Sequence, residues 1–426
     1  MNLSFQIAKR IARHSTSGIS GTIIKIAIVT ISLSVATMIL ATTVLYGFKK
    51  GVSEKVFGFW GHIHITDTRI NRTLELSPIL NNSDLKSQIS LIDQVYERYE
   101  EDGKLIERRS QGGVKSIHPY IVLPAIVNRK DDLEGIILKG VDKEYNWEGF
   151  SGYLKRGAFP NLSSDTLSRE ILISEQTATR LRVGEGDKLV IYFLQEKDAI
   201  RKAFTISGIY RTGLEEYDVK FAFMDMRVIQ DVLDWEESQI GGFEIFIDHI
   251  DDAGLIADYI YNELLPPNLY AETIKEKFGG LFEWIGLQDM NAYLLLILMA
   301  IVAVINMSTA LLILILERSK MIGILKAVGA RDWTIRQIFI YTAFWIMLMA
   351  LVLGNVLGFS VALIQKFTGI FKLDESTYYL SEVPIEFDFL SIVAVNAGTI
   401  LMTLVFMIIP TFLVTRISVI KVLRFD

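Results

Sequence analysis

The chain has few side chains whose type and spacing could support catalysis or bind a metal. Of its five histidines, only His62 and His64 form a close pair, at i and i+2 on one face of a predicted strand. A zinc site needs three or four protein ligands, and the sequence indicates no third ligand beside this pair. The chain also lacks the Gly-x-x-x-x-Gly-Lys-Ser/Thr phosphate loop, the His-Glu-x-x-His zinc helix and the Gly-x-Ser-x-Gly nucleophile turn. We therefore predict that the chain is not an enzyme and holds no catalytic residue, metal or cofactor.

Protein recognition is a different kind of chemistry, and the segment 317–336 has a pattern suited to it. Its apolar residues follow an i, i+3, i+4, i+7 spacing, which predicts a short amphipathic helix, and they are Met321, Ile324, Leu325 and Val328. Gly329 is placed to end this helix in the left-handed conformation. Taken alone, a basic amphipathic helix is more often a membrane-surface segment than a binding site for a partner.

The elements that must position this segment are four long apolar helices. Each contains a run without Asp, Glu, Lys or Arg that exceeds the roughly 20 residues needed to cross a hydrocarbon core about 30 Å thick. The absence of acidic residues from these runs argues against an ion or proton pathway. The predicted membrane spans are 22–48, 290–316, 337–365 and 389–415.

The distribution of charge orients these spans. The first 48 residues hold four basic residues and no acidic one, and the loop 317–336 holds five basic residues against two acidic ones. By contrast, the segment 49–289 holds 29 basic and 41 acidic residues. Because short cytoplasmic segments carry the excess of Lys and Arg, we predict that both termini, including the tail 416–426, and the loop 317–336 are cytoplasmic. The segment 49–289 and the short loop 366–388 are then outside.

The N-terminal segment 1–21 carries apolar Leu3, Ile7 and Ile11 at four-residue intervals. This spacing predicts a helix in the cytoplasmic membrane interface. A basic signal that only orients the first span would account for the same residues. The first apolar run is too long for the core of a cleavable signal peptide, so we predict that it is an uncleaved anchor.

The outer segment 49–289 is long enough to bury a core of its own, and the chain has no cysteine with which to form a disulfide. Residues 85–100 have the apolar spacing of a helix. Short strand-like runs joined by tight turns predict a β-rich subdomain at 143–240, inserted into an α+β domain formed by 49–142 and 241–289. The predicted fold class is an α-helical membrane protein with four transmembrane helices plus a large α+β extracytoplasmic domain containing an inserted β-rich subdomain.

Small and weakly polar residues mark two of the predicted helix surfaces in the membrane. Small residues spaced by four allow close helix packing, so we predict that the third and fourth spans meet through Gly354, Gly358, Ala394 and Gly398. Polar side chains in a span should face protein or a cavity rather than lipid, so either an interface or a cavity lining is expected at Thr30, Ser34, Thr37, Asn306 and Thr309.

A resemblance to a known family rests on the segment 317–330. It reads Glu-Arg-x-x-x-Ile-Gly-Ile-Leu-Lys-Ala-Val-Gly-Ala and resembles the coupling segment of the FtsX and MacB superfamily of ABC-transporter permeases. Pro410 with Arg416 and 419–424 resembles the C-terminal signature of that superfamily, and the order of spans matches its layout over the whole length. Within the superfamily the chain is most similar to lipoprotein-releasing permeases of the LolC/LolE type, in length, in lacking a fused ATPase domain, and in the stretches 137–142, 170–175, 183–187 and 204–209, the last followed by 215–218.

The resemblance implies a permease subunit in the bacterial inner membrane, with its large domain in the periplasm. It implies a complex of two permease subunits, identical or related, with separate cytoplasmic ABC ATPases that bind ATP and Mg²⁺. Lipoproteins would pass from membrane lipid into a cavity between the first and second spans, lined by the polar residues above, and no nucleic acid is expected as a partner. The ATPase-coupling residues it implies are Glu317, Met321, Ile324, Leu325, Val328 and Gly329.

The resemblance also implies a periplasmic carrier that receives the lipoprotein. Family members that hold the carrier use an extended hook between two strands of the outer domain, whereas only 194–202 is available here. Carrier docking through so short a hook is an open expectation, and its residues would be Gln195, Glu196, Lys197 and Asp198.

Two other functions are compatible with the sequence. A permease of the same superfamily can transmit mechanical work to an efflux conduit or a cell-wall hydrolase without moving lipid through its own spans. A membrane-anchored sensor or scaffold would instead bind a ligand with its outer domain and would need no ATPase, but it leaves the pattern of 317–330 unexplained.

Overall fold

The computed structural model of the protein describes residues 19–69, 77–101, 104–129, 132–163, 166–194, 199–412 and 414. The interfacial helix predicted within 1–21 lies almost entirely outside the described residues, and the tail 416–426 lies wholly outside them. The helices are α1 (Ile19–Trp60), α2 (Ser83–Ser90), α3 (Glu175–Leu181), α4 (Glu215–Asp218), α5 (Met226–Leu233), α6 (Ala253–Tyr259), α7 (Ile274–Lys277), α8 (Gly279–Glu317), α9 (Ser319–Ala327), α10 (Asp332–Thr368), α11 (Glu375–Tyr378) and α12 (Phe389–Thr411). The strands are β1 (Ile63–Asp67), β2 (Ile79–Leu80), β3 (Tyr96–Glu101), β4 (Lys104–Arg109), β5 (Val114–Arg129), β6 (Asp132–Val141), β7 (Leu154–Gly157), β8 (Glu170–Ser174), β9 (Lys188–Leu194), β10 (Ala199–Tyr210), β11 (Phe221–Asp225), β12 (Gln239–Ile240), β13 (Gly242–Ile247) and β14 (Leu269–Thr273).

Among the described residues, four helices are long and apolar enough to cross a membrane, namely α1, α8, α10 and α12. The first three contain 42, 39 and 37 residues. At 1.5 Å per residue they are about 55–63 Å long, which is nearly twice the hydrocarbon core of a bilayer. The first three predicted spans lie inside these helices. Charged residues bound a membrane span without ending a helix, so each of these three helices is longer than its predicted span.

The described residues of 1–50, 284–373 and 382–426 form one compact unit, which we call the membrane unit. Its apolar core joins all four long helices and the short helix α9. In α1 the buried residues recur every three or four positions, as one face of a helix requires, and include Ala27, Ile31, Val35 and Met38. The other segments contribute fully buried Ile315, Ile322, Phe339 and Met407.

The glycines Gly354 and Gly358 of α10 pack against α1, which corrects the prediction that they join the third and fourth spans. A β-carbon added at Gly354 would lie 2.7 Å from the carbonyl oxygen of Ser32. One added at Gly358 would lie 3.2 Å from the β-carbon of Ile39. Small residues permit a close approach but do not specify which neighbour approaches, so the sequence pattern could not identify the partner helix.

The packing of α10 on α12 uses polar residues instead of the predicted small ones. The side-chain amides of Asn355 and Asn396 donate to each other's carbonyl oxygens, at 2.7 and 3.1 Å. Ala394 is exposed, and a β-carbon on Gly398 would meet nothing within 4 Å. A reciprocal amide pair satisfies polar groups that lipid cannot, which explains why this face of α12 turns toward α10.

The described residues of 51–283 and 374–381 form a second compact unit, which we call the outer unit. Its main sheet has ten strands, and six of them pair in a closed circuit in the order β5, β6, β11, β8, β10 and β9. The circuit closes because β9 pairs with β10 along one edge and with β5 along the other. Strands β13, β1 and β14 continue the sheet from the first half of β5. Each of these six strands therefore has a neighbour on both sides over at least part of its length.

The segment 143–240 is rich in strands, as predicted, but most of its strands belong to a sheet shared with the rest of the outer unit and not to a separate subdomain. Its strands complete the circuit with β5 and β6, which belong to the preceding segment, and β11 runs parallel to β6. The sequence could not reveal this pairing because it joins residues far apart in the chain. Alternate residues of the circuit share one apolar core, as a two-residue period requires, and include Leu123, Ala125, Ile136, Leu138, Ile171, Ile173, Ile191, Phe193, Phe204, Ile206, Ala222 and Met224.

The helix predicted over 85–100 is present only in its first part. Helix α2 ends at Ser90, and Tyr96–Glu101 is instead a strand paired with β4 in a separate hairpin. Ile92 and Val95 are both buried in the core of the outer unit. Their apolar side chains therefore extend the apolar spacing of α2 although the helix has already ended. Both lie in the irregular segment between α2 and β3, and apolar spacing alone cannot distinguish such a segment from a helix over so short a run.

A buried ion pair lies at the centre of the outer unit. The ammonium of Lys139 lies 2.6 Å from a carboxylate oxygen of Glu244, and neither side chain is exposed. It also donates to the carbonyl oxygen of Phe59 at 2.6 Å. The rings of Phe59 and Trp60 lie with their centroids 5.4 and 5.0 Å from the ammonium. Because Phe59 and Trp60 end helix α1, this pair anchors the end of that helix in the core of the outer unit.

The histidine pair has a structural role in this unit. The Nε2 of fully buried His64 donates to the carbonyl oxygen of Trp60 at 2.7 Å, and burial holds the pKa of His64 well below its ordinary value. The Nδ1 of His62 accepts from the amide of Ile247 at 3.2 Å. In the part of the chain that the structure describes, no group of three or more His, Cys, Asp or Glu could hold a metal ion.

We expect the buried His118 to make the outer unit sensitive to acid. Only 5% of it is exposed, and neither ring nitrogen has a hydrogen-bond partner among the described residues. Burial, with repulsion from Lys86 and Lys139, lowers the pKa of His118 from 6.5 to about 4. Because the folded pKa lies below the unfolded one, the contribution of neutral His118 to stability is complete above pH 6.5 and is lost as the pH falls through about 4.

We expect His118→Phe to remove this loss of stability. The variant should gain about 2–3 kcal/mol over the wild type at pH 4.5 and change little at pH 7.5. Phenylalanine keeps the ring contacts with Tyr145 and Phe246, whose centroids lie 5.4 and 5.9 Å away. The urea midpoint of the outer unit at the two pH values measures the effect. An unchanged difference between the two midpoints would show that His118 does not titrate on unfolding.

Candidate functional site

The amphipathic segment predicted from the sequence is the helix α9, which connects α8 to α10. Gly329 ends it with φ of +92°, a left-handed conformation that glycine adopts without strain. The amide of Gly329 donates to the carbonyl of Lys326 at 3.0 Å, and that of Ala330 donates to the carbonyl of Leu325 at 2.9 Å. These two bonds are the Schellman pairing of a helix C-terminus, so local sequence determines where α9 stops.

The predicted apolar stripe of α9 is divided between two environments. Ile324 and Val328 are 55% and 83% exposed, and their i, i+4 spacing places them on one face, which we call the coupling face. Met321 and Leu325 are half-buried and pack against the core of the membrane unit. The reason is that α9 lies against the ends of the spanning helices, which cover one side of the stripe. Leu325 therefore holds α9 in place as well as belonging to the predicted coupling set.

Two further apolar residues at this site, Ile322 and Trp333, were not among the predicted coupling residues. Ile322 is fully buried and anchors α9 in the membrane unit. Trp333, in the first turn of α10, is 61% exposed. Ile322 is apolar but lies off the predicted stripe, and this feature of the sequence indicates that α9 has a second apolar side. Glu317 and Gly329, the remaining predicted coupling residues, are both exposed.

Polar contacts fix the C-terminal end of α9. The ammonium of Lys326 donates to the carbonyl oxygen of Val414 at 2.9 Å and lies 3.0 Å from a carboxylate oxygen of Asp332. The side chain of Lys326 is only 13% exposed, and a cation is favourable near the carbonyl end of a helix such as α12. The guanidinium of Arg336 also lies 4.2 Å from the ring centroid of Phe412. A force on the coupling face would thus act on α10 and α12 together.

The hydroxyl residues predicted to line a lipid cavity are satisfied within their own helix. Each donates to the backbone carbonyl four residues earlier, at 2.9–3.1 Å, and they are Thr30, Ser34 and Thr37. Ser34 is buried, whereas Thr30 and Thr37 are half-buried. On α8, Asn306 is half-buried and Thr309 is exposed. These hydroxyls need no ligand to satisfy them, so a cavity lining remains a prediction.

The residues predicted to dock a carrier, Gln195 to Asp198, lie outside the described residues. Their flanks are described, and Leu194 of β9 pairs directly with Ala199 of β10. The connection between the two strands is therefore four residues long.

Two family profiles match the chain. The MacB-like periplasmic core domain matches residues 26–253, which is more than half of the chain, and the FtsX-like permease C-terminal profile matches residues 293–419. The second match includes α9 and the coupling face.

The chain is similar along nearly its whole length to individual proteins of lipoprotein-releasing systems. The lipoprotein-releasing system transmembrane protein LolE of Haemophilus influenzae is 20% identical over 96% of this chain and 96% of that protein. The corresponding LolC of Xylella fastidiosa (strain 9a5c) is 21% identical over 93% of this chain and 92% of that protein. Among solved structures, the extracellular domain of the noncanonical ABC-type transporter YknZ from Gram-positive bacteria aligns with 50% of this chain and 99% of that chain. The identity is 10% and the TM-score 0.32, too low to compare the two folds.

Proposed function

Because the chain belongs to the permease family that joins a MacB-like periplasmic core domain to an FtsX-like C-terminal segment, we propose that it is the membrane subunit of an ATP-driven transporter that extracts lipoproteins from the inner membrane. The observation that carries this proposal is the coupling face. Ile324 and Val328 are exposed on a helix that is anchored by Ile322 and Lys326. Similarity to lipoprotein-releasing proteins along nearly the whole chain supports the substrate class.

The proposed partners follow from what this chain lacks and presents. Its sequence has no phosphate loop, so ATP and Mg²⁺ would be bound by a separate cytoplasmic ABC ATPase that docks on the coupling face. A second permease subunit, identical or related, would complete the membrane part. Both termini would be cytoplasmic and the outer unit periplasmic, where it would meet a lipoprotein carrier.

Energetics explain why such a release needs a motor. Each buried CH₂ of an acyl chain contributes about 0.8 kcal/mol to membrane binding, so a lipoprotein with several chains is held by tens of kcal/mol. The acyl chains must therefore move from lipid into a protein cavity and then into another apolar pocket. We place that cavity beside α1 and α8, with Thr30, Ser34, Thr37, Asn306 and Thr309 as its candidate lining.

We expect Ile324→Asp to weaken binding of the ATPase by about 30-fold or more, the loss typical of an interface hot spot. The residue is 55% exposed, so a charge there should not unfold the permease. The measurement is the amount of ATPase that co-purifies from native membranes. The matched control is Leu91→Asp, an equally drastic change at an exposed leucine of the outer unit, which should leave co-purification unchanged. Full retention of the ATPase by Ile324→Asp combined with Val328→Asp would refute the proposal.

A second candidate function is mechanical transmission without lipid transport, as in other permeases of the superfamily. The four-residue connection between β9 and β10 favours it, because so short a hairpin offers little surface for a carrier. Mass spectrometry of the complex after gentle purification distinguishes the two. A co-purified lipoprotein supports extraction, and an ATPase complex that never contains one supports transmission alone.

A further inference from the structure

The loop between α10 and α12 contributes residues to both units of the structure. Residues 374–381 belong to the outer unit, whereas the segments on either side belong to the membrane unit. A short piece of the loop, which includes helix α11, therefore belongs to the outer unit. The sequence indicated only a short connection at 366–388.

The apolar contact of this piece is made by Leu380. Only 8% of Leu380 is exposed. It covers Gly51, where an added β-carbon would lie 3.2–4.0 Å from the side-chain carbons of Leu380. A larger residue at position 51 would therefore displace Leu380.

The polar contact is made by Glu375, which pairs with two cations. Its carboxylate lies 3.6 Å from the ammonium of Lys55 and forms a short ion pair with Arg211. Arg211 pairs in turn with Glu175 at 3.2 Å. Lys55 also donates to the carbonyl oxygen of Tyr379 at 2.8 Å. The side chains of Lys55 and Glu375 are only 15% and 20% exposed, so this pair is less screened by water than an ordinary surface pair.

The base of the same loop is braced within the membrane unit. The side-chain amide of Gln365, which is buried, donates to the carbonyl oxygens of Phe371 and Val383 at 3.0 Å each, and its oxygen accepts from the amide of Phe371 at 2.9 Å. Farther along, Glu386 pairs with Lys50 at 2.7 Å. The loop is thus fastened to α10 at its base and to the outer unit at its tip.

We propose that the loop 369–388 is a strap that carries movement of α10 and α12 into the outer unit, with Glu375 as the anchor of its tip. The strap rests on the proposed function only for the source of the movement, which is the ATPase on the coupling face. Because Lys326 ties α9 to the start of α10 and to Val414 just beyond α12, a stroke on that face passes along these two helices to the base of the strap at their other ends. Glu375, Lys55 and Arg211 then act as positioning residues that keep the tip attached.

Glu375→Gln tests the anchor in the purified full-length chain in lipid nanodiscs, without any partner. The substitution keeps the side-chain shape and removes its charge. We expect exchange of the backbone amides of Thr377, Tyr378 and Tyr379, which donate to the carbonyl oxygens of Asp374 and Glu375, to accelerate at least about tenfold, since bonds to charged groups are the strong ones. The matched control is Glu386→Gln, which removes the exposed pair with Lys50 and should leave these amides unchanged. Equal exchange in wild type and Glu375→Gln would overturn the anchor.

A covalent link tests what the anchor does. The chain has no cysteine, and the side chain of Leu380 reaches within 3.2–4.0 Å of a β-carbon added at Gly51, so Gly51→Cys with Leu380→Cys is the pair to oxidise as a covalent replacement for the ionic anchor in the Glu375→Gln background. In the complex with its ATPase, we expect a non-hydrolysable ATP analogue to alter amide exchange in the outer unit. Glu375→Gln should abolish most of that response, oxidation of the cysteine pair should restore it, and reduction should remove it again.

The outcomes separate the strap from the proposed function. If no ATPase co-purifies with the wild type, the proposed function fails while the exchange experiment on the purified chain still decides the anchor. If the ATPase binds and the nucleotide response is unaffected by Glu375→Gln, the strap does not transmit movement and the inference is wrong.

Discussion

Lys139→Met is expected to destabilise the outer unit by about 3–5 kcal/mol, the cost of breaking a buried ion pair by removing one partner. Glu244 would be left fully buried, and one of its oxygens already lacks a hydrogen-bond partner among the described residues. Burial raises the pKa of Glu244 and Lys139 opposes that shift, so its carboxyl would take up a proton or the unit would open. The urea midpoint of the outer unit, followed by pulse proteolysis of the full chain, measures the loss.

Two controls show whether the charge or the packing is responsible. The double variant Lys139→Met with Glu244→Leu removes both charges and should recover most of the loss, since apolar replacement of a whole buried pair is often neutral or stabilising. Lys86→Met removes a pair with Glu144, whose carboxylate is 60% exposed, and should cost less than about 1 kcal/mol. If the double variant were as unstable as the single one, the loss of stability would come from the packing contacts of the Lys139 side chain and not from its charge.

Gly354→Leu is expected to separate α1 from α10 in the membrane unit. The first carbon of the new side chain would lie 2.7 Å from the carbonyl oxygen of Ser32 and 2.8 Å from the β-carbon of Val35. A backbone oxygen in a helix cannot move aside, so the helices must part and the bond from the Ser32 hydroxyl to the carbonyl of Ala350, 2.9 Å long, would be lost. Overpacking of this kind costs about 1–3 kcal/mol and sometimes more, and we expect the upper end here.

Gly398→Leu is the matched control for this substitution. It makes the same change in another membrane helix with the same small-residue pattern, where a β-carbon meets nothing within 4 Å. The fraction of purified protein that remains monodisperse after heating in detergent should fall for Gly354→Leu and stay at the wild-type level for Gly398→Leu. Equal losses for the two variants would mean that the effect of replacing glycine arises within the substituted helix and not from its contact with a neighbouring helix.

Local sequence determines only part of the structure of α9. The helix α9 and its end at Gly329 could be predicted because helical spacing and a left-handed C-terminal glycine depend only on neighbouring residues. The division of its stripe, with Leu325 against the core and Ile324 in solvent, could not be predicted. It depends on where α8, α10 and α12 end, which no local pattern encodes.

By itself the sequence determined the four apolar helices, the size and charge of the outer segment, and the helix that carries the coupling face. These follow from the absence of charge over runs of about 20 residues or more and from apolar spacing within single helices, both of which are patterns local to one stretch of chain. Only the tertiary structure decided that Gly354 faces α1, that β9 closes the circuit of strands, and that Lys139 meets Glu244 across 105 positions of chain. Each of these contacts joins residues distant in sequence, and the choice of partner depends on shape and charge complementarity between whole elements.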